Sequence, residues 1–147
     1  DWTVRGIPEP GDVLLTREAP VGECCVIPEE ISFCMGQRVV WLQLQKEKIN
    51  PHFLVHVIYS LASKIFIENL SIGSTVSHLN MSEIGNIPIL HCSVEEQEQI
   101  VEYLDEQTSI IDSTITKEEK RIELLKEYRQ SLISELVTGK VKVTRDE

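Results

Sequence analysis

A single stretch of helix-forming sequence, residues 93–139, limits the folds open to this 147-residue chain more than any other feature. It contains no proline, and its only glycine is its last residue, Gly139. Ser93 and Glu96 have the spacing of a capping box, in which each side chain accepts a hydrogen bond from the other residue's backbone N–H group. Gly139 suits the left-handed conformation that commonly ends a helix. The sequence therefore predicts one helix over residues 93–139.

Apolar residues recur along this helix with the heptad spacing of a helix that pairs with another helix. The a positions are Val101, Thr108, Ile115, Ile122, Arg129 and Leu136, and the d positions are Gln97, Leu104, Ile111, Glu118, Leu125 and Leu132. Eight of these twelve residues are apolar. At ~1.5 Å per residue the helix is roughly 60 Å long, which exceeds what the core of a small domain requires. We therefore expect it to pair with a second helix.

The predicted pairing surface, called the seam below, has two charged members, Glu118 and Arg129. Its residues are Val101, Leu104, Ile111, Ile115, Glu118, Ile122, Leu125, Arg129, Leu132 and Leu136. An unpaired buried charge costs several kcal/mol. In one register of an antiparallel pair, the numbers of any two facing residues add to 247, and Glu118 then faces Arg129. The other a and d residues between positions 111 and 136 then face apolar residues of the second helix. We expect this two-fold antiparallel coiled coil, unless both charges extend into solvent or the natural partner is a different helix.

The net charge of −10 bears on the choice of partner. Residues 93–147 carry 14 acidic and 8 basic side chains, and residues 1–92 carry 10 acidic and 6 basic side chains. Nucleic-acid-binding domains are usually basic. Any contact of this chain with DNA is therefore expected to be local rather than spread over a basic face.

Composition otherwise favours one modest globular core, with 41% hydrophobic residues. No apolar run is long enough for a membrane span, and no cationic apolar leader opens the chain. The four cysteines, Cys24, Cys25, Cys34 and Cys92, lack CxxC spacing and are expected to be free thiols in a reducing cytoplasm. Because the sequence begins without methionine, we expect a fragment of a longer protein.

Residues 1–92 are expected to form a small α+β globular part with a mixed or antiparallel sheet and one packed helix. The predicted elements are strands at 13–16, 24–27 and 37–44, a helix from Pro51 to about residue 69, a short helical turn after Asn80, and an edge strand at 87–90. Residues 37–44 carry apolar side chains on both faces and are predicted to be the central strand. Asn50 is the expected N-cap of the helix that begins at Pro51. The long helix and a tail, residues 140–147, follow.

No residue pattern in the chain is typical of catalysis or metal binding. His52 and His56 have the helical spacing of a metal pair, but the sequence offers neither a third ligand nor the glutamate of a zinc protease. No nucleophile motif and no phosphate-binding glycine loop is present. We predict no catalytic residue, no metal and no cofactor.

Several polar residues have the chemistry needed to contact DNA. The loop over residues 71–80 contains Ser74, Thr75 and His78, which can donate hydrogen bonds to phosphates or bases. Arg17 follows the first predicted strand, and Gln37 and Arg38 enter the third; such side chains pair with guanine and adenine edges. The alternative is that the loop is a polar connector and that the other three are ordinary surface residues.

Segments that cover nearly the whole chain resemble the specificity subunit of type I restriction–modification systems. They are GDVLLTREAPVGE, GQRVVWLQL, NPHFLVHVIYS, GSTVSHLNMSEIGNIPI, EEQEQIVEYLDEQTSIID and IELLKEYRQSLISELVTGKV. The resemblance implies a target-recognition domain that binds double-stranded DNA, followed by a long helix that packs against a second helix and docks modification (methyltransferase) subunits. It also implies a cytoplasmic, non-catalytic protein, with the restriction subunit joining through the complex.

The chain departs from the family pattern at three points. The family's proline-rich entry to the helix is replaced by IPILHCS. Only one recognition unit is present, where a full subunit carries two. We expect the first half of that unit to be missing or unusually short, so that residues 1–92 are the C-terminal part of the target-recognition domain. An alternative function is therefore a helical assembly module that does not read DNA. A self-sufficient enzyme would require a cofactor site that the sequence does not contain.

Overall fold

The computed structural model describes residues 6–30, 35–70, 78–90 and 92–143. In this part of the chain the elements are β1 (Val13–Thr16), β2 (Cys24–Val26), β3 (Val39–Leu42), α1 (Pro51–Tyr59), α2 (Leu61–Leu70), α3 (Met81–Ile84) and α4 (Val94–Val137). The chain divides into two compact units, residues 1–102 and residues 103–147. The first unit is called the lobe below. The expected α+β class, a small mixed or antiparallel sheet with a packed helix followed by a long helix, is confirmed, and the sheet is antiparallel.

The sheet has β1 at its centre, with β2 and β3 antiparallel on either side. The prediction of a central strand over residues 37–44 was wrong, because β3 is shorter and lies at an edge of the described sheet. The large side chain of Trp41 is held by residues that precede β1. The Trp41 ring donates a 2.7 Å hydrogen bond from Nε1 to Oδ2 of the buried Asp12, and it lies so close to Gly6 that a Cβ there would meet it at 2.8 Å. Apolar residues on both faces of β3 therefore do not indicate a central position.

The helix predicted from Pro51 to about residue 69 is two helices, α1 and α2, with a bend of 63° between them. Asn50 is confirmed as the N-cap, since its side chain accepts hydrogen bonds from the N–H groups of His52 and Phe53. Ser60 causes the break. Its backbone is extended, and its hydroxyl accepts a 3.4 Å hydrogen bond from the N–H group of the buried Ser63. A serine in this conformation ends one helix and caps the next.

The core of the lobe lies between the sheet and the helices α1 and α2. Its buried apolar members are Val13, Leu15, Leu54, Ile58, Ile67, Leu79 and Ile87. The short helical turn after Asn80 is confirmed as α3, but no strand forms over residues 87–90. The N–H group of Ile87 continues the turn by donating to the Ile84 carbonyl at 3.2 Å, and Pro88 has no N–H group for a sheet.

Both ends of α4 follow the predicted capping. The N–H group of Ser93 donates to Glu96 at 3.0 Å, and the N–H group of Glu96 donates to the Ser93 hydroxyl at 3.2 Å. At the other end Gly139 has φ of +73°, and the Lys140 N–H group donates back to the Glu135 carbonyl at 2.9 Å. This second pattern is a Schellman motif.

None of the described helices is by itself both long and apolar enough to cross a membrane. The helices α1 and α2 reach such a composition only when they are joined across their 63° bend.

Candidate nucleic-acid interface

One end of the sheet brings together Arg17, which follows β1, and the segment at His78 and Leu79. The Arg17 N–H group donates to the Arg38 carbonyl at 2.8 Å, which extends the ladder between β1 and β3 by one residue. Arg17 Nε donates to the Leu79 carbonyl at 2.8 Å, and its Nη2 lies 2.7 Å from Nε2 of His78. The Leu79 N–H group donates to the Arg17 carbonyl at 3.0 Å. Arg17 therefore links the sheet to the described segment that begins at His78.

The buried side chain of Leu79 holds this link in place. Leu79 is fully buried in the core of the lobe, whereas His78 beside it is exposed. Nothing in the hydrophobic pattern distinguishes Leu79 from other apolar residues, so its anchoring role was missed in the sequence. A buried residue next to an exposed polar one fixes the position at which the polar group reaches the surface.

Arg38 lies at the same end of the sheet and presents its guanidinium group to solvent. Its side chain is 71% exposed, and its Nε is 3.7 Å from Oε1 of Glu18. An ion pair of this length and exposure contributes little stability, so the guanidinium group is readily available to a ligand. Gln37, which precedes it, is also exposed.

Four of the six residues predicted to contact DNA, Arg17, Gln37, Arg38 and His78, thus lie in or beside this end of the sheet. Ser74 and Thr75 lie outside the described residues. We call Arg17, Gln37, Arg38 and His78 the arginine cluster.

A second polar group, at the start of β2, was not anticipated from the sequence. The Tyr59 hydroxyl donates to Oε2 of Glu23 at 2.8 Å and accepts from the Cys24 N–H group at 3.2 Å. Burial raises the pKa of Tyr59, and burial followed by the nearby Cys25 and Glu23 raises the pKa of the Cys24 thiol to about 12. In the part of the chain that the structure describes, Cys24, Cys25 and Cys92 are free thiols.

These surroundings predict very different reactivities for the two adjacent thiols. With a pKa of about 12, the Cys24 thiol is ionised to about one part in ten thousand at pH 8, and only the thiolate attacks an alkylating agent. Cys25 is exposed. We expect iodoacetamide to modify Cys25 at least about ten times faster than Cys24. Peptide mass spectrometry over a time course measures both rates, and equal rates would contradict the assignment.

No group of three or more His, Cys, Asp or Glu side chains suited to a metal ion occurs among the described residues.

The seam residues of the second unit lie on an exposed face of α4. Ile111, Ile115, Ile122 and Leu125 are each at least half exposed. Glu118 has a neighbour on its own helix, because its Oε2 lies 3.6 Å from Nη1 of Arg121. A run of exposed apolar side chains of this length is typical of an interaction surface.

Residues 6–126 match the family model of the type I restriction modification DNA specificity domain. Because this match covers most of the chain, the chain belongs to that family, as the resemblance predicted. The family is that of a specificity domain, in agreement with the prediction that the chain is not itself an enzyme.

Individual relatives are considerably longer than this chain. It is 30% identical over 107 residues to the type I restriction enzyme EcoBI specificity subunit of Escherichia coli, a match that covers 73% of this chain and 22% of that subunit. It is 26% identical over 122 residues to the MjaIX specificity subunit of Methanocaldococcus jannaschii, covering 83% of this chain and 27% of that subunit. The chain therefore spans about a quarter of the length of these relatives.

Two solved structures share its fold. A chain from a structure of type I R-M complex assembly and conformational transition has a TM-score of 0.73 at 22% identity, over 88% of this chain and 31% of that one. The HsdS subunit from Thermoanaerobacter tengcongensis has a TM-score of 0.57 at 22% identity, over 81% of this chain and 32% of that one.

Proposed function

We propose that this chain is the sequence-recognising part of a type I restriction–modification complex and that it contacts double-stranded DNA through the arginine cluster. The observation that carries the proposal is the convergence of Arg17, Arg38 and His78 at one end of the sheet, in a chain that belongs to a family of DNA specificity domains. Catalysis of methylation and cleavage belongs to partner subunits, and the chain itself requires no cofactor. We expect it to act in the cytoplasm.

The chemistry of the cluster suits both backbone and base contacts. A guanidinium group carries five N–H donors, and Arg17 uses two of them within the lobe. The remaining donors can bind a phosphate oxygen or a guanine edge. Arg38 has greater freedom, because its side chain is held by a long ion pair with Glu18 and by no other hydrogen bond or ion pair among the described residues. We therefore assign Arg17 to fixing the register on DNA, and Arg38 together with Gln37 to contacting bases or phosphates.

The long helix supplies the second part of the proposed function. Its exposed seam pairs with a second helix, and the paired helices dock the modification (methyltransferase) subunits. The restriction subunit joins through the assembled complex. Phosphate neutralisation by these partners reconciles DNA binding with a net charge of −10.

Replacing Arg38 with glutamine is expected to weaken DNA binding by the assembled complex by about ten-fold and to lower the salt dependence by about one ion equivalent. Replacing Arg17 with glutamine should have a larger effect, because it also releases the Leu79 carbonyl from the sheet end. Titration of labelled target duplex at several salt concentrations measures both quantities.

Lys46→Gln is the matched control for these variants. It removes the same charge, but Lys46 lies near the opposite end of the sheet, where its Nζ donates to the Pro10 carbonyl at 3.0 Å. Its affinity for DNA should match that of the unmodified complex. If Arg17→Gln and Arg38→Gln also bind and discriminate sites as the unmodified complex does, the arginine cluster is structural and the DNA contacts lie elsewhere.

The acidic composition favours one alternative, a pure assembly module that pairs and docks partners without reading DNA. A duplex-binding assay with and without the methyltransferase subunit separates the two functions. Specific, salt-dependent binding that requires this chain supports the recognition function. Equal binding by the methyltransferase subunit alone supports the assembly module.

A further inference from the structure

The start of α4 contains a buried glutamine whose side-chain amide makes three hydrogen bonds. Gln97 is 2% exposed. Its Oε1 accepts a 2.8 Å hydrogen bond from the Asn50 N–H group. Its Nε2 donates to the Lys48 carbonyl at 3.1 Å and to the Cys92 carbonyl at 2.9 Å. One side chain thus joins three backbone groups from two separate segments of the lobe.

The Asn50, Lys48 and Cys92 backbone groups and Gln97 itself all lie within the lobe. Asn50 is also the N-cap of α1, so the Gln97 amide connects the beginning of one helix with the beginning of the other. A buried hydrogen-bonded amide restrains the groups that it joins, and a glutamine side chain offers two donors and an acceptor without charge. The heptad pattern placed Gln97 at a d position of the helix pair, which concealed this role.

We propose that Gln97 is a positioning residue that locks the start of α4 to the lobe, so that a partner subunit bound to the helix is held from a fixed point on the DNA-reading part. This inference rests on the proposed function. It assigns to Gln97 an effect on methylation by the assembled complex that is separable from the affinity of the complex for DNA. This positioning depends on the hydrogen bonds of the Gln97 amide group and not on the volume of the side chain alone.

Gln97→Glu in the full chain tests the amide chemistry through pH. One carboxylate oxygen can still accept from Asn50, but the other faces the carbonyl oxygens of Lys48 and Cys92. A carboxylate can donate to neither carbonyl, whereas a protonated carboxyl group can donate to one of them. The folded pKa of the introduced carboxyl group should therefore lie above the unfolded value of about 4.3, and stability should fall as the pH rises between those two values. We expect the midpoint of thermal unfolding to drop by on the order of 10 °C at pH 7.5 and by less at pH 5.

Gln99→Glu is the matched control, since it makes the same charge change two residues later at an exposed position of the same helix. Its unfolding midpoint should follow that of the unmodified chain at both pH values. A Gln97→Glu deficit equal to that of the control, or independent of pH, would overturn the role of the amide group.

Gln97→Met keeps the length of the side chain and removes all three hydrogen bonds. We expect the Asn50 amide hydrogen to exchange at least about ten times faster, with no change for helix amides between residues 111 and 136. In the assembled complex, methylation of target DNA should fall by on the order of ten-fold or more at unchanged DNA affinity, as expected for misplaced reacting groups.

If a variant whose Asn50 amide hydrogen exchanges faster still methylates DNA normally, Gln97 only stabilises the lobe. That result would overturn the proposal. If Gln97→Met does not fold, Gln97→Glu assembled at pH 7.5 takes its place in the same two assays. If the unmodified complex does not bind DNA, the proposed function is wrong. The exchange rate of the Asn50 amide hydrogen does not depend on that outcome.

Discussion

Chains with aspartate in place of Ile111 and Leu125 are expected to be monomers at concentrations at which the unmodified chain is paired. Both residues belong to the seam and are more than half exposed in their own chain. In the antiparallel register with a sum of 247, Ile111 faces Leu136 of the second copy and Leu125 faces Ile122. Each aspartate then places an unpaired carboxylate against apolar side chains, at a cost of several kcal/mol. The dissociation constant should rise by at least on the order of 100-fold.

The two residues that precede these in the sequence provide an unusually close control. Ile110 is 55% exposed, the same as Ile111, and Leu124 is 53% exposed against 57% for Leu125. Ile110→Asp with Leu124→Asp therefore makes the same charge change and the same loss of helix propensity one residue away. Only the helical face differs, so this variant should stay paired.

Sedimentation equilibrium at micromolar concentration measures the three proteins, and circular dichroism checks that all remain helical. A monomeric unmodified chain would show that the seam does not bind a second copy. Dissociation of both double variants to the same extent would show that pairing is not confined to the seam.

The features predicted best from the sequence are those determined by neighbouring residues. The capping box of Ser93 and Glu96 and the terminal turn at Gly139 require only groups within six residues of one another. The break at Ser60 is equally local, yet it was missed, because the apolar spacing continues through it. A serine between two helical runs has to be considered as an N-cap even where the hydrophobic pattern is uninterrupted.

The order of the strands could not be derived in this way, because it depends on contacts between distant residues. Trp41 made β3 look like a central strand, but its indole is bound by Asp12, 29 residues away, and its ring lies against Gly6. These contacts satisfy the residue without a further strand. Hydrophobicity alone does not distinguish the two arrangements.

The candidate site shows the same difference between features set by neighbouring residues and features set by distant contacts. Residue chemistry selected Arg17, Arg38 and His78, but not the backbone groups that bring them together. The Arg17 side chain reaches Leu79 and His78 across more than 60 residues of sequence. For Gln97 one signal was present: it is a polar residue in an otherwise mostly apolar heptad pattern, near a helix start. Such a residue calls for a search for partners outside the helix pair.

The structure also changes how the register of the helix pair is tested. Glu118 was expected to need Arg129 of a second copy, but it already lies 3.6 Å from Arg121 on its own helix. Both side chains of that pair are more than half exposed, at 58% for Glu118 and 71% for Arg121. An exposed i,i+3 pair contributes only about 0.2–0.5 kcal/mol. The contact with Arg121 is thus too weak to outweigh the cost of burying Glu118 against an apolar partner.

Reversing one charge of the seam should weaken pairing, and reversing both should restore most of it. In the two-fold register, Glu118→Arg alone places two arginines face to face at each end of the pair, and Arg129→Glu alone places two glutamates there. We expect each single variant to raise the dissociation constant by about 10- to 100-fold.

In the double variant, opposite charges face each other again, and the dissociation constant should return to within about ten-fold of the original. Glu127→Arg, at an exposed position outside the seam, makes the same charge change as Glu118→Arg and should leave pairing unaffected. Because Glu118→Arg also sets two arginines near each other on one helix, circular dichroism of the monomer must show unchanged helicity for the comparison to hold. A double variant that associates no better than the singles would mean that the facing residue numbers do not add to 247, and that Glu118 and Arg129 have other partners.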